Sequence, residues 1–405
     1  MPRLNADPSD VKAFLERGVE NVFPDIAPVE TALLSGKRLR VYTGVDPTGP
    51  TLHMGHAIWL RKLAELQRMG HEVIMLIGDF TAIIGDPTDK GATRVRLTRE
   101  QVLANCKKYK KQASKFLKFT GDNPAKMMFN SKWLAKMSFT DVIELASHFT
   151  VQQMSERDMF EKRLKEGKPV YLHEFMYPLM QGYDSVAMDV DMEVGGNDQT
   201  FNMLAGRTLL KEMKGKEKFV VTLELLADPT GKKMGKSEGN AIAFDDAPEE
   251  MYGKVMSWTD GMIMQGFRLC TDVEDGEIER VEGRIKDGGN PIEAKHELAR
   301  KIVEVFYNEK AGWAAREHFN AIHRDRETPD DMPELTHRAG MTVVDALVES
   351  KLVASKTDAR RQIEQGGVKL DGAVVTDVNA SVKSNQVIQK GKRHFVRIVG
   401  KSGSR

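Results

Sequence analysis

The chain of 405 residues is poor in cysteine: its two, Cys106 and Cys270, are far apart and form no metal-ligand cluster. That excludes a disulfide scaffold and fits a protein kept in a reducing cytosol, so no metal site of the protein's own is expected. A charge of one sign is also missing. Sixty Lys and Arg against 59 Asp and Glu leave +1, so the whole-chain charge argues neither for nor against a polyanionic partner, and its distribution has to decide. Long hydrophobic runs are absent too. Nothing approaches the length of a membrane span, and the opening Met-Pro-Arg-Leu-Asn-Ala-Asp-Pro has no apolar leader, so a soluble, cytoplasmic protein without membrane contact is expected. The length implies two or three domains.

What is present is organised around Arg40 to Gly70. Val41 to Val45 reads as a short buried strand, Pro47 to Pro50 as turn chemistry, and Ala57, Leu60, Leu63 and Ala64 as apolar positions of a helix. His53 and His56 therefore fall at a strand-to-helix corner. Backbone N–H groups and positive dipole charge at a helix start, with imidazoles added, suit a phosphate. Gly55, without a side chain, lets a flat group approach the backbone. Taken alone, two histidines near a helix start are also an ordinary surface feature.

In chain order, Asp10 to Phe23 reads as a helix capped by Ser9 or Asp10, with Val11, Phe14, Leu15 and Val19 apolar. After the central stretch, His71 to Phe80 is near-continuously apolar, as a parallel strand buried on both faces should be. Residues 40 to 79 thus make one right-handed strand-helix-strand unit. The polar segment Ile84 to Arg94 reads as a solvated loop whose Lys90 and Arg94 could close over a phosphate-bearing ligand. Residues 99 to 118 read as a lysine-rich helix with a solvated face, 126 to 130 as a strand, and 140 to 166 as two helices.

Tyr177, Gln181 and Asp184 lie four and three residues apart and so share one side of a helix. Phe175, Met176, Leu179 and Met180 between them are too apolar for a free helix, so this polar stripe is expected to line a cavity. A strand Asp189 to Val194 and a Gly195-Gly196 turn then lead into a helix starting near Asp198, at the end of a parallel strand where open α/β sheets bind ligands. A strand Lys218 to Leu223 precedes a stretch with three lysines in five residues, Lys232, Lys233 and Lys236, followed by Ser237.

His53-Met54-Gly55-His56 and Lys233-Met234-Gly235-Lys236-Ser237, in that order in an alternating chain, resemble the two signatures of class I aminoacyl-tRNA synthetases. Tyr42 to Thr48, Gly85-Asp86-Pro87, the Tyr177, Gln181 and Asp184 set, and Gly195 to Gln199 narrow the resemblance to the bacterial tyrosyl-tRNA synthetases. It spans essentially the whole chain. Gly235 departs from the usual serine, and Thr200 stands where tryptophan is common, which leaves the packing beside the ribose open. The resemblance implies an α/β fold: a doubly wound parallel-sheet, Rossmann-like catalytic domain (1–240), a helical domain that contacts tRNA (241–325), a linker (326–340), a small α+β RNA-binding domain (341–405), and a homodimer.

It also implies roles. Thr48, His53, Lys90, Arg94, Lys233 and Lys236 would donate to the phosphates of ATP, with magnesium arriving on the nucleotide. His56, Asp198 and Gln199 would hold the ribose and carboxylate region, with Gly55, Asp46 and Ser237 beside the nucleotide. Asp86, Tyr177 and Gln181 would receive the amino group of tyrosine, and Tyr42 and Asp184 its hydroxyl. The product would be tyrosyl-tRNA(Tyr).

From Lys351 onward, twelve Lys or Arg stand against four Asp or Glu, while the rest of the chain is acidic. That asymmetry points to RNA. Ser355 to Arg361, Gly366-Gly367-Val368 and Asp371-Gly372 resemble the RNA-binding domain named after ribosomal small-subunit protein four, with Lys356, Arg360 and Arg361 as contacts. Two rivals have discriminating signs. Another nucleotidyltransferase with the histidine signature has no reason to carry a basic RNA-binding end, and a non-catalytic RNA-binding paralogue would have eroded phosphate donors.

Overall fold

The computed structural model describes residues 4–86, 97–231, 241–327, 332–391 and 394–400. The chain divides into two compact units, Met1–Arg316 and Glu317–Arg405. The first is built on six strands: β1 (Val19–Phe23), β2 (Arg40–Val45), β3 (Glu72–Ile77), β4 (Lys126–Phe129), β5 (Met192–Gly196) and β6 (Phe219–Leu223). Their spatial order is β1-β6-β5-β2-β3-β4. All neighbours are parallel except β1 with β6. From β2 the chain proceeds to β3 and β4 on one side, then returns to place β5 and β6 on the other. The reversal opens a crevice at the carboxyl ends of β2 and β5, where a doubly wound sheet accepts its ligand. In that register Tyr42 faces Glu193 across β2 and β5.

The central helix Met54–Arg68 buries Ala57, Leu60, Leu63 and Ala64, the apolar stripe expected of it. The segment rich in lysine is two helices, Arg99–Cys106 and Tyr109–Ala113, and not one. Its lysines are exposed, but its inner stripe bolts down the turn before the histidine corner. Asn105 Nδ2 donates to Pro47 O at 2.9 Å, Tyr109 Oη to Gly49 O at 2.7 Å, and Leu52 N to Gln112 Oε1 at 3.0 Å.

Several other elements differ from the sequence reading. The first helix is Pro8–Glu16, capped by Asp7, whose side chain accepts from Ser9 N, and not by Ser9 or Asp10. It does not run to Phe23: Gly18 takes φ +67° and Val19–Phe23 becomes β1, antiparallel on β6, which covers the edge of the parallel sheet. Residues 139 to 165 are three helices, Phe139–Ser147, Val151–Ser155 and Asp158–Lys165. Asp189 is the left-handed cap of helix Leu172–Met188, so β5 starts at Met192 and takes in Gly195 and Gly196 as strand residues. A 3-10 turn, Asn197–Gln199, then delays the next helix to Thr200. Helix Glu309–Glu327 runs into the start of the stretch expected as the linker, 326–340.

The second unit has five strands, β7 (Glu334–Thr336), β8 (Val368–Leu370), β9 (Ala373–Val374), β10 (Val387–Lys390) and β11 (His394–Val399), in the order β7-β11-β10-β8-β9. Asp371 and Gly372, at φ +50° and +84°, form the two-residue turn between β8 and β9. Helices Val343–Glu349 and Lys356–Glu364 pack Val343, Leu347, Ala359 and Ile363 on Val368, Ile388, Val396 and Ile398.

Candidate active site

β2 delivers Tyr42 and then Asp46 to the crevice. Asp46 Oδ1 accepts from Thr81 Oγ1 at 2.7 Å and Oδ2 from Tyr177 Oη at 2.9 Å. Gly78 makes this possible, since a Cβ there would lie 1.9 Å from Asp46 Oδ1. Asp46 was expected beside the nucleotide; here it also anchors Tyr177, tying the stripe on helix Leu172–Met188 to the strand that runs into the histidine corner. Burial, then Asp46 and Asp86, pushes the Tyr177 phenol well above its ordinary value.

The three residues of the stripe share one side of the helix, as the spacing predicts. Tyr177 and Asp184 are buried and Gln181 is half-buried on the inner side of their helix. Asp184 Oδ1 accepts from Trp133 Nε1 at 2.7 Å and Oδ2 from Asn130 Nδ2 at 3.3 Å. Burial raises its pKa well above the usual carboxylate range, against these two hydrogen bonds. A carboxylate has about four lone-pair positions, so two donors leave room for a third. Tyr42 is fully buried and its hydroxyl lies 2.8 Å from Ser185 Oγ. Its phenol is pushed well above the ordinary value by burial first and then by Glu193 and Asp184.

Asp86 lies at the edge of the described chain and is bonded from two sides, by Arg157 Nη2 at 3.1 Å and by Gln199 Nε2 at 2.9 Å. Gln199 also accepts from Asn202 at 2.8 Å. Asp198 sits with Gln199 in the 3-10 turn after β5. The structure therefore brings the residues assigned to the amino group and those assigned to the ribose into direct contact.

His53 is the N-cap of helix Met54–Arg68, and its backbone N–H donates to His56 Nδ1 at 3.0 Å. His56, accepting at Nδ1, carries its proton on Nε2 when neutral. The imidazole centroids are 3.9 Å apart. Gly55 is in the first helical turn, and Thr48 is exposed in the turn ahead of it. Lys90, Arg94, Lys233, Lys236 and Ser237 lie outside the described residues. The chain is nevertheless anchored on both sides of the second signature. Before it, Ala227 N donates to Gln265 Oε1 at 3.3 Å, and Gln265 Nε2 to Leu225 O at 3.1 Å. After it, His53 and Ala243 form an antiparallel bridge, with Met54 N on Ile242 O at 2.8 Å and Phe244 N on Leu52 O at 3.0 Å. The chain that follows the second signature, at Ile242–Phe244, thus pairs with the backbone of the first.

In the second unit, Lys356, Arg360 and Arg361 project from the exposed face of helix Lys356–Glu364, opposite buried Ala359 and Ile363. Lys356 pairs with Asp345 at 2.9 Å and Arg361 with Asp358.

Sequence reasoning did not find Asn130, Trp133, Arg157, Ser185, Glu193 or Lys218. For two of them a signal existed: Glu193 interrupts an apolar strand and Lys218 directly precedes another, and a charge placed there in the interior requires a partner.

Comparison with known proteins identifies the family of the chain. The family described as tRNA synthetases class I (W and Y) matches residues 34–324, and the tyrosine–tRNA ligase SYY-like C-terminal domain matches residues 326–398. The chain is 44% identical over 397 residues to the tyrosine–tRNA ligase of Thermotoga maritima, covering 97% of this chain and 98% of that protein. It is 42% identical over 394 residues to that of Haemophilus influenzae, covering 97% of each. Among solved structures it is similar to a C-terminally truncated mitochondrial tyrosyl-tRNA synthetase of Coccidioides posadasii, at 27% identity and TM-score 0.61 over 76% of this chain and 91% of that one. The fold is shared with tyrosyl-tRNA synthetase of Archaeoglobus fulgidus, at 21% identity and TM-score 0.60 over 76% and 100%.

Proposed function

The chain belongs to the class I tRNA synthetases of the tryptophan and tyrosine group, and from that premise we propose that it activates tyrosine with ATP and esterifies tRNA(Tyr) with it. The observation that carries the reading is the 2.9 Å bond from Tyr177 to Asp46, which ties the amino-acid stripe to the strand entering the histidine corner.

A carboxylate oxygen of tyrosine attacks the α-phosphorus of ATP; the bond to the β-phosphate bridging oxygen breaks and pyrophosphate leaves. Negative charge gathers on the phosphates, and donors already in place stabilise it without reorganising. Thr48, His53, Lys90, Arg94, Lys233 and Lys236 are those donors, four of them on the strength of the resemblance alone. His56, Asp198 and Gln199 hold the ribose, with Gly55, Asp46 and Ser237 alongside. Asp86, Tyr177 and Gln181 take the α-ammonium, for which a carboxylate is the natural partner. Tyr42 and Asp184 take the phenol. Magnesium comes with the nucleotide and neutralises phosphate charge. In the second step a hydroxyl of the terminal ribose attacks the tyrosyl carbonyl and AMP departs.

The partners follow. The exposed cations Lys356, Arg360 and Arg361 support RNA contact by the second unit. Phe139 and Leu172, 80% and 82% exposed, with Ile143, Val151 and Leu164, are large apolar side chains that a second copy of the chain would cover, which supports a homodimer. Among the described residues no helix is long and apolar enough to cross a membrane.

The test is exchange of pyrophosphate into ATP with each amino acid in turn. Tyrosine alone should support it. No exchange with any amino acid would overturn the reading; exchange restored by a non-amino-acid small-molecule acceptor would then mark the nucleotidyltransferase, and none with either the non-catalytic paralogue.

A further inference from the structure

Beneath the amino-acid pocket lies an ion pair that the reaction does not use. Lys218, the residue just ahead of β6, and Glu193 on β5 are almost without exposure and form an ion pair. Lys218 Nζ also donates to Ser185 Oγ at 2.8 Å, and that oxygen is 2.8 Å from the Tyr42 hydroxyl. On the other side, Gln181 Nε2 donates to Glu193 Oε1 at 3.4 Å. The neighbouring helix Thr200–Lys214 leaves room for all this at Gly206, where a Cβ would lie 2.6 Å from Lys218 Nζ and 2.7 Å from Ser185 Oγ.

We propose that Lys218 and Glu193 are positioning residues for amino-acid selection: through Ser185 the pair holds the Tyr42 hydroxyl, and through Glu193 it holds the Gln181 amide. One ion pair thereby braces the phenol-reading and the amine-reading ends of the pocket together. This rests on the reading of Tyr42, Asp184 and Gln181 given above.

Stability alone is a poor reason for such a pair, because two charges taken out of water are about as well replaced by apolar side chains of the same volume. What the pair adds is direction. An ammonium can only donate, so Ser185 Oγ must accept from Lys218, and the serine hydroxyl is fixed between an ammonium and a phenol. The Tyr42 phenol, its pKa raised by burial, keeps a proton to place at working pH. Glu193 can only accept while ionised, so the Gln181 amide must turn its nitrogen toward it and its oxygen elsewhere. The carbonyl is then available to an ammonium in the pocket. Hydrogen-bond chains of this kind polarise one another in a low-dielectric interior.

The experiment compares Lys218→Met/Glu193→Gln, which removes both charges together, with Ser185→Ala, which cuts only the link to Tyr42. Adenylate formation is measured with tyrosine and phenylalanine, alongside ATP KM and thermal unfolding. The double variant should keep its ATP KM and lose tyrosine-over-phenylalanine selectivity by about 10- to 100-fold, mostly through tyrosine KM. Ser185→Ala should lose about 3- to 10-fold in selectivity. If the double variant does not fold, Ser185→Ala decides. Selectivity and tyrosine KM at the parent values in folded variants overturn the proposal. Tyr42→Phe and Asp184→Asn in the same assay separate the two readings: if these change selectivity and the braced variants do not, only the bracing fails, and if none does, the pocket assignment fails first.

Discussion

The proposed amino-acid pocket of the first unit and helix Lys356–Glu364 of the second are both rich in polar side chains, built in opposite ways. In the pocket, Asp184, Ser185, Glu193 and Lys218 are buried and each is bonded to a neighbour. On the helix, Lys356, Arg360 and Arg361 stand in solvent. A buried group left unpaired costs about 1–3 kcal/mol, so the pocket can reject a ligand that lacks one hydroxyl. Exposed charges attract any polyanion and are screened over about 8–10 Å at ordinary salt. On the proposed function choice and hold are thus separated: the pocket would select, and the helix would attract.

The sharpest way to break this division is at the histidine corner, which belongs to neither region. His53→Ala should slow adenylate formation about 100- to 1,000-fold with tyrosine KM and selectivity unchanged, as expected for a donor to developing phosphate charge. Pre-steady-state rates with tyrosine titration check it, and a fall in tyrosine affinity that accounts for the loss would merge the corner with the pocket. Next in size is Asp184→Asn. An amide can accept the phenol proton on one oxygen only and leaves Trp133 and Asn130 poorly matched, so selectivity over phenylalanine should fall about 100-fold, read as the ratio of kcat/KM values. Unchanged selectivity means the hydroxyl is read elsewhere.

The smallest effect belongs to the helix. Replacing Arg360 and Arg361 by alanine should weaken binding of tRNA about tenfold at 0.1 M salt and lower the log–log salt slope by about 1.4 to 1.8. Adenylate formation should not move. Measuring tyrosine KM over the same salt range completes the contrast, because a buried pocket should be nearly indifferent to it. A salt slope unaltered by the double substitution removes these arginines from the RNA contact.

How much of this could be read from the chain follows the range of the interactions. Tyr177, Gln181 and Asp184 announce themselves because helical spacing is local, and the apolar residues between them say that the stripe faces inward. The histidine corner is legible for the same reason, as strand, turn and helix follow within 30 residues. Val19–Phe23 was not legible: its strand character comes from pairing with β6, two hundred residues away, while its own Val-Glu-Asn-Val-Phe pattern continues plausibly from the helix before it. The partners of Asp184 and Asp86 were hidden likewise, since Trp133, Asn130 and Arg157 reach them only once the sheet is assembled. Glu193 and Lys218 carried a warning in their burial-prone strands, but only the fold says that each answers the other.

The antiparallel bridge between His53 and Ala243 sets a length standard for the chain. Its two hydrogen bonds fix the register of Leu52–Met54 against Ile242–Phe244. An extra residue just ahead of Ala241 can be absorbed without breaking them only by passing slack back toward Ser237, Lys236 and Lys233. Slack of that kind is thermodynamically cheap, about 0.6 kcal/mol even where the length is doubled, whereas a lysine in the proposed phosphate-donating role would be misaligned by an offset of one residue. The stretch after the second signature should therefore be intolerant of insertions for reasons of timing in the reaction and not of folding. Such a variant would melt with the parent protein and yet form adenylate slowly.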